Sequence, residues 1–186
     1  WYAWQGTYSS IFFMTLMPAV WGEQYYFLGP VFILLLLLAG SMVFTHVILR
    51  KVFGMEKWIS LAIQAVITIA EFMFIYSAQS GFYWYNGGVH YVGMHGFGWL
   101  MLSVAICLER AEGRTATGLL FTASVLLSMI TAGSNFVTAL QGLLSLLTIL
   151  FISVVVEHRK KGLWLLPATL VYIIGFGLNV AAPGNS

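Results

Sequence analysis

Charged residues divide this chain into long apolar intervals, 1–22, 24–49, 58–70, 72–108, 115–156 and 162–186, each without Asp, Glu, Lys or Arg. A helix needs about 20 residues at 1.5 Å each to cross a hydrocarbon core of about 30 Å, and backbone in lipid must satisfy its own hydrogen bonds. The pattern therefore predicts an all-α, polytopic membrane bundle. Continuous apolar runs such as 32–39 lack the alternation that strands of a membrane β-barrel show.

Six spans are predicted: 26–49, 58–77, 89–108, two within the 42 residues of 115–156, and 163–180. Gly133, Ser134 and Asn135 stand at the middle of 115–156 as a turn signal. The segment 8–21 is apolar but only 14 residues long, carries Pro18 and is flanked by Trp1, Trp4 and Trp21. Its length and aromatic flanks favour an interfacial or re-entrant helix at the outer surface over a seventh span. No repeat or soluble segment interrupts the chain, so 1–186 reads as one transmembrane domain. The start at Trp1 and the stop just after Pro183, Gly184 and Asn185 read as those of a piece of a longer protein.

All eight cations fall into three clusters: Arg50, Lys51 and Lys57; Arg110 and Arg114; Arg159, Lys160 and Lys161. The positive-inside rule puts all three on the cytoplasmic side of a multi-pass membrane protein. A composition of 60% hydrophobic and 8% charged residues excludes a water-soluble monomer, for which about 25% charged is usual. The net charge of +2 is too small for a nucleic-acid footprint. The single cysteine, Cys107, excludes an intrachain disulfide, and the six acids include no aspartate.

With this topology, polar and aromatic residues gather on the outer side: Gln5 to Tyr8, Ser80 to Tyr91, Gly133 to Asn135, and Asn179 with Pro183 to Asn185. The richest stretch holds Tyr83, Trp84, Tyr85, Asn86, Gly87, Gly88, His90 and Tyr91. Aromatic rings offer an apolar face to the C–H side of a sugar or to a lipid chain, amides bind hydroxyls, and glycines allow close backbone approach. The same composition also makes an interfacial aromatic belt. Glu71 is the one charged residue inside a predicted span, about 20 Å from the inner side. It reads either as a proton acceptor, an ion ligand or a hydroxyl-orienting group facing an outward cavity, or as a protonated or paired glutamate joining two helices, for instance through His95 or a serine hydroxyl. His90 is a candidate acid/base group. His90 and His95 are five residues apart and lack cysteine or aspartate neighbours, so no metal site is predicted, and no phosphate-binding glycine motif is present.

Taken together, Trp4-Gln5-Gly6-Thr7-Tyr8, Phe82-Tyr83-Trp84 with Gly87 and Tyr91, Gly133-Ser134-Asn135, and Asn179 with Pro183-Gly184-Asn185 resemble the motifs of a bacterial multi-spanning membrane family of unknown function. That family is similar to GT-C-type glycosyltransferases. The resemblance implies transfer of a sugar from a polyprenyl-phosphate donor to a cell-surface glycan or lipid acceptor at the outer face of the bacterial cytoplasmic membrane. It implies that Tyr83, Trp84, Asn86, Gly87, Tyr91, Asn135 and Asn185 line the substrate pocket; Glu71 and His90 are additional catalytic candidates from the reading of the residues alone. Its main acid would lie upstream of Trp1, and Thr7 stands where the family pattern has arginine. The implied partners are the bilayer, the lipid-linked sugar and the acceptor; no cofactor is implied beyond the donor, and a divalent metal is left open. Two other readings are a transporter or flippase fragment using Glu71, and a non-enzymatic membrane subunit gripping a partner through the outer aromatic loops.

Overall fold

The computed structural model describes residues 6–75, 77 and 79–185; Trp1, Trp4 and Gln5 lie outside the described residues. The regular structure is helical throughout: α1 (Tyr8–Thr15), α2 (Leu28–His46), α3 (Lys57–Met73), α4 (Tyr85–Gly87), α5 (Met94–Glu109), α6 (Arg114–Ala132), α7 (Phe136–Phe151) and α8 (Leu166–Val180). Flanking turns lengthen several of these. Among the described residues, Glu23–Val52, Tyr85–Glu109, Arg114–Ala132, Phe136–Val156 and Lys160–Val180 are long and apolar enough to cross a membrane. The protein is a multi-pass helical membrane protein.

The remaining expected span, 58–77, folds as α3, a helix of 17 residues. At 1.5 Å per residue it is about 25 Å long, some 5 Å less than a typical hydrocarbon core. One face of α3 explains its attachment, because Ser60, Gln64, Thr68 and Glu71 recur at helical spacing. Gln64 donates to the Met42 carbonyl of α2 at 3.2 Å, and Ser41 of α2 donates to the Glu71 carboxylate at 2.7 Å. Val66, Ile69 and Met73 are exposed, as expected of lipid-facing residues.

The short α1 does not span. It is tucked into one end of the bundle, with Thr7, Ser9 and Ser10 buried. The Ser9 amide donates to the Gly133 carbonyl at 3.1 Å, and the Tyr8 hydroxyl donates to the Met129 carbonyl at 2.9 Å. Pro18 starts a separate short turn, Pro18–Trp21, since proline cannot extend the α-helical hydrogen-bond ladder.

At the centre lies α5, half of whose span is buried, against a fifth to a third for the other four. Its C-terminal half packs Met101, Leu102, Ala105 and Leu108 against Ala132 of α6, Leu146 of α7, and Leu165 and Tyr172 on the α8 side. Toward its start, Met94 joins Val89, Tyr85 and Phe82 against Ile33 and Leu37 of α2. Small and hydroxylated residues fill the contacts, including buried Ser41, Ser103, Ser128, Thr131 and Thr169, whereas many leucines and isoleucines face outward. Such packing suits a lipid surround, where apolar side chains gain little by turning inward and close backbone approach drives association. The α2–α5 crossing is the tightest case. A Cβ on Gly40 would stand 2.4 Å from the Gly96 carbonyl oxygen, and one on Gly96 would stand 2.6 Å from that of Leu36.

Gly40→Ala is therefore expected to lower stability by about 1–3 kcal/mol, the usual cost of overpacking, because backbone rather than a flexible side chain must move. Gly118→Ala, where nothing lies within 4 Å, is expected to be neutral or slightly stabilising. Thermal unfolding of the two variants in detergent checks the contrast, and equal effects would contradict the packing described.

Candidate functional site

The three basic clusters meet at one end of the bundle. The Arg110 guanidinium donates to the Lys51 carbonyl, and the Lys161 ammonium donates to the Ala111 carbonyl. Each turn at this end contains one residue in the left-handed region, Gly54 (φ 63°), Gly113 (φ 82°) or His158 (φ 53°). Glycine meets that requirement without steric cost.

The opposite end gathers the aromatic and amide segments, and hydrogen bonds join them. The Tyr26 hydroxyl donates to the Tyr83 carbonyl, and the Tyr85 hydroxyl donates to the Phe13 carbonyl at 3.0 Å. Asn179, fully buried on α8, donates to the carbonyls of Ala132 at 3.0 Å and Ser134 at 2.8 Å. In this way α1, the 79–93 segment, the α6–α7 turn and the end of α8 become one platform.

The sequence-predicted site residues separate into two groups on this platform. Tyr83, Trp84 and Tyr91 are 61%, 59% and 58% exposed, and Asn86 is exposed on α4, so a ligand can reach all four. Gly87 is buried beneath the Trp84 ring, where a Cβ would come within 2.3 Å of a ring carbon. It supports the tryptophan and offers no contact surface. Half-buried His90 sets its ring edge-on to Tyr91, with centroids 4.8 Å apart.

The other two residues hold backbone. Asn135 is the N-cap of α7: its carbonyl accepts from the Thr138 amide at 3.0 Å. Its amide group donates to the His90 carbonyl at 2.8 Å and the Thr138 hydroxyl at 3.0 Å. Asn185 donates to the carbonyls of Asn179 at 2.7 Å and Val180 at 3.1 Å, and accepts from the Gly6 amide at 3.4 Å.

Glu71 is half-buried within the bundle and hydrogen-bonded to Ser41. Among the described residues, no hydrogen bond or ring contact joins it to His90. The His95 ring packs edge-on against Trp99, with centroids 5.1 Å apart. With Trp99, Thr138 and Gln141 it borders a cavity of about 20 Å³, enough for roughly one water. The Trp99 indole N–H is buried without a protein acceptor.

Thr7, Ser10 and Asn179 also carry buried oxygen atoms without hydrogen-bond partners. Sequence reading gave no signal for Ser10, for the Trp99 donor, or for which serine meets Glu71. Among the described residues, no group of three or more His, Cys, Asp or Glu converges as a metal site. No protein-family model, curated protein or solved structure matches the chain.

Replacing Asn135 separates its two structural roles. Asn135→Asp keeps the capping acceptor and removes both donors, whereas Asn135→Ala removes everything. The alanine variant is expected to be destabilised by about 1–2 kcal/mol, the usual cost of a lost cap, and the aspartate variant by more, because a buried carboxylate oxygen would then face the His90 carbonyl oxygen. Thermal unfolding in detergent checks this order, and an unaffected alanine variant would contradict the assignment.

Proposed function

We propose that this chain is the membrane-embedded part of a glycosyltransferase that moves a sugar from a polyprenyl-phosphate donor to a cell-envelope glycan or lipid acceptor. In this reading the basic clusters lie in the cytoplasm and the aromatic end faces the outside of the bacterial cytoplasmic membrane. One observation carries it: Tyr83, Trp84, Tyr91 and Asn86 stand exposed together on a platform stitched from distant segments. Rings held in this way present flat apolar faces to a sugar or an isoprenoid chain, and the amide supplies a hydroxyl partner. In the transfer, the bond from the anomeric carbon to phosphate oxygen breaks as a bond to the acceptor oxygen forms. The acceptor proton passes to a base, and the departing phosphate carries the negative charge. His90, beside Tyr91, is the base candidate on the platform.

A specific observation favours one other reading, an ion- or proton-coupled carrier. Glu71 is an ionisable group inside the bundle with Ser41 as a neighbour, a placement that marks many ion pathways.

Transfer of radiolabelled sugar from a polyprenyl-phosphate donor in membrane vesicles tests the proposal. Trp84→Ala is expected to lower transfer about tenfold, as loss of one stacking contact of up to 1.5 kcal/mol implies, and Trp84→Phe to retain most of it. Unchanged transfer by Trp84→Ala would remove the platform from the reaction. Loss of substrate flux in Glu71→Gln, with no transfer by the wild-type protein, would favour the carrier.

A further inference from the structure

The basic end contains two adjoining open clefts that the proposed transfer does not use. One, of about 430 Å³, is lined by Glu109, Arg110, Arg159, Lys160 and Lys161. The other, of about 520 Å³, is lined by Leu108, Arg114, Thr117, Lys161 and Trp164 among others, so Lys161 belongs to both. Their cations are not equally occupied. Arg110 pairs with Glu109 at 3.0 Å and Arg159 with Glu157 at 2.7 Å, whereas among the described residues no carboxylate pairs with Arg114, Lys160 or Lys161. Glu112, the other acid of the α5–α6 turn, is exposed and makes no ion pair there.

The second cleft has two kinds of wall. Arg114 and Lys161 bring positive charge, and Leu108 and Trp164 bring apolar surface. Trp164 is half exposed and is steadied by Phe121, whose ring meets it edge-on at 5.7 Å. Leu163 beside it is also half exposed. Tryptophan at the end of a span sits at headgroup level, and cations there attract anionic lipid. We propose that these clefts bind the phosphodiester headgroup of an anionic phospholipid, with Arg114, Lys160 and Lys161 facing the phosphate and Trp164 facing the glycerol and the first chain methylenes. Charge alone would serve inorganic phosphate equally well. The apolar wall argues for the lipid, because a soluble anion gains nothing from Leu108 and Trp164.

The test is native mass spectrometry of the delipidated protein titrated separately with phosphatidylglycerol, phosphatidylcholine and inorganic phosphate. Phosphatidylglycerol is expected to be retained at least fivefold better than phosphatidylcholine. Arg114→Gln is expected to lower its retention about fivefold, the factor for loss of one interfacial cation. Lys57→Gln, at the same end but outside both clefts, should leave retention within about twofold, as its charge still adds weakly at a distance. Thermal unfolding at the wild-type temperature verifies that both variants are folded. Equal retention of the two lipids, an equal loss in Lys57→Gln, or inorganic phosphate bound as tightly as phosphatidylglycerol would each overturn the proposal.

Discussion

A helix surrounded by hydrocarbon gains little by turning its leucines inward, so this bundle depends on backbones that approach closely and on polar groups that find partners across helices. The crossing of α2 with α5 is where that constraint is most visible. Gly40 and Gly96 place backbone against backbone with no room for a methyl group. Beside that crossing, Ser41 engages Glu71 and helps to anchor α3, which is also held by Gln64 and by the stacking of Phe72 on Phe82. Further along, α5 forms the floor on which α6, α7 and α8 pack. Tyr172 shows the same economy: it fits over Gly142 and its hydroxyl donates to the Ala139 carbonyl at 2.9 Å, so a large buried ring leaves no polar atom stranded.

The two ends of the bundle solve one problem with different chemistry. Helix ends leave carbonyl groups without partners, and these must be met by side chains or solvent. At the basic end arginine and lysine donate to them, at Lys51, Met55 and Ala111. At the aromatic end tyrosine hydroxyls and asparagine amides do so, at Phe13, Tyr83, His90, Ala132 and Ser134. Polar side chains at either end are therefore partly structural. What is left over, exposed rings with Asn86 at one end and cations without acids at the other, is the surface able to engage other molecules.

The helical membrane architecture was legible because charge is so sparse. Intervals without charge outlined α5 to α8 closely, and Gly133 to Asn135 marked the turn between α6 and α7. The α3 span was drawn too long, since apolar character continues past Met73 although the helix does not. For the site, sequence showed which residue types gather at the aromatic end but not what each one meets. Asn86 and Asn135 are the same residue type in equally polar stretches, yet one is exposed and the other is consumed by an N-cap and a carbonyl. Only the tertiary position of a neighbouring carbonyl separates those cases. The choice between His95 and a serine as partner of Glu71 was open for the same reason, and Ser41 makes the hydrogen bond. The resemblance implies that Gly87 lines a pocket, but the group that approaches it closely is the Trp84 ring.

In the proposed arrangement the aromatic and basic ends of the bundle lie on opposite sides of a bilayer. The most direct measurement is labelling with a membrane-impermeant maleimide in sealed right-side-out and inverted vesicles, using single cysteines at Asn86 and Glu112 in a Cys107→Ser background. Both positions are exposed, one at each end. Asn86→Cys is expected to label in right-side-out vesicles only and Glu112→Cys in inverted vesicles only. Labelling of both from the same side would contradict this arrangement.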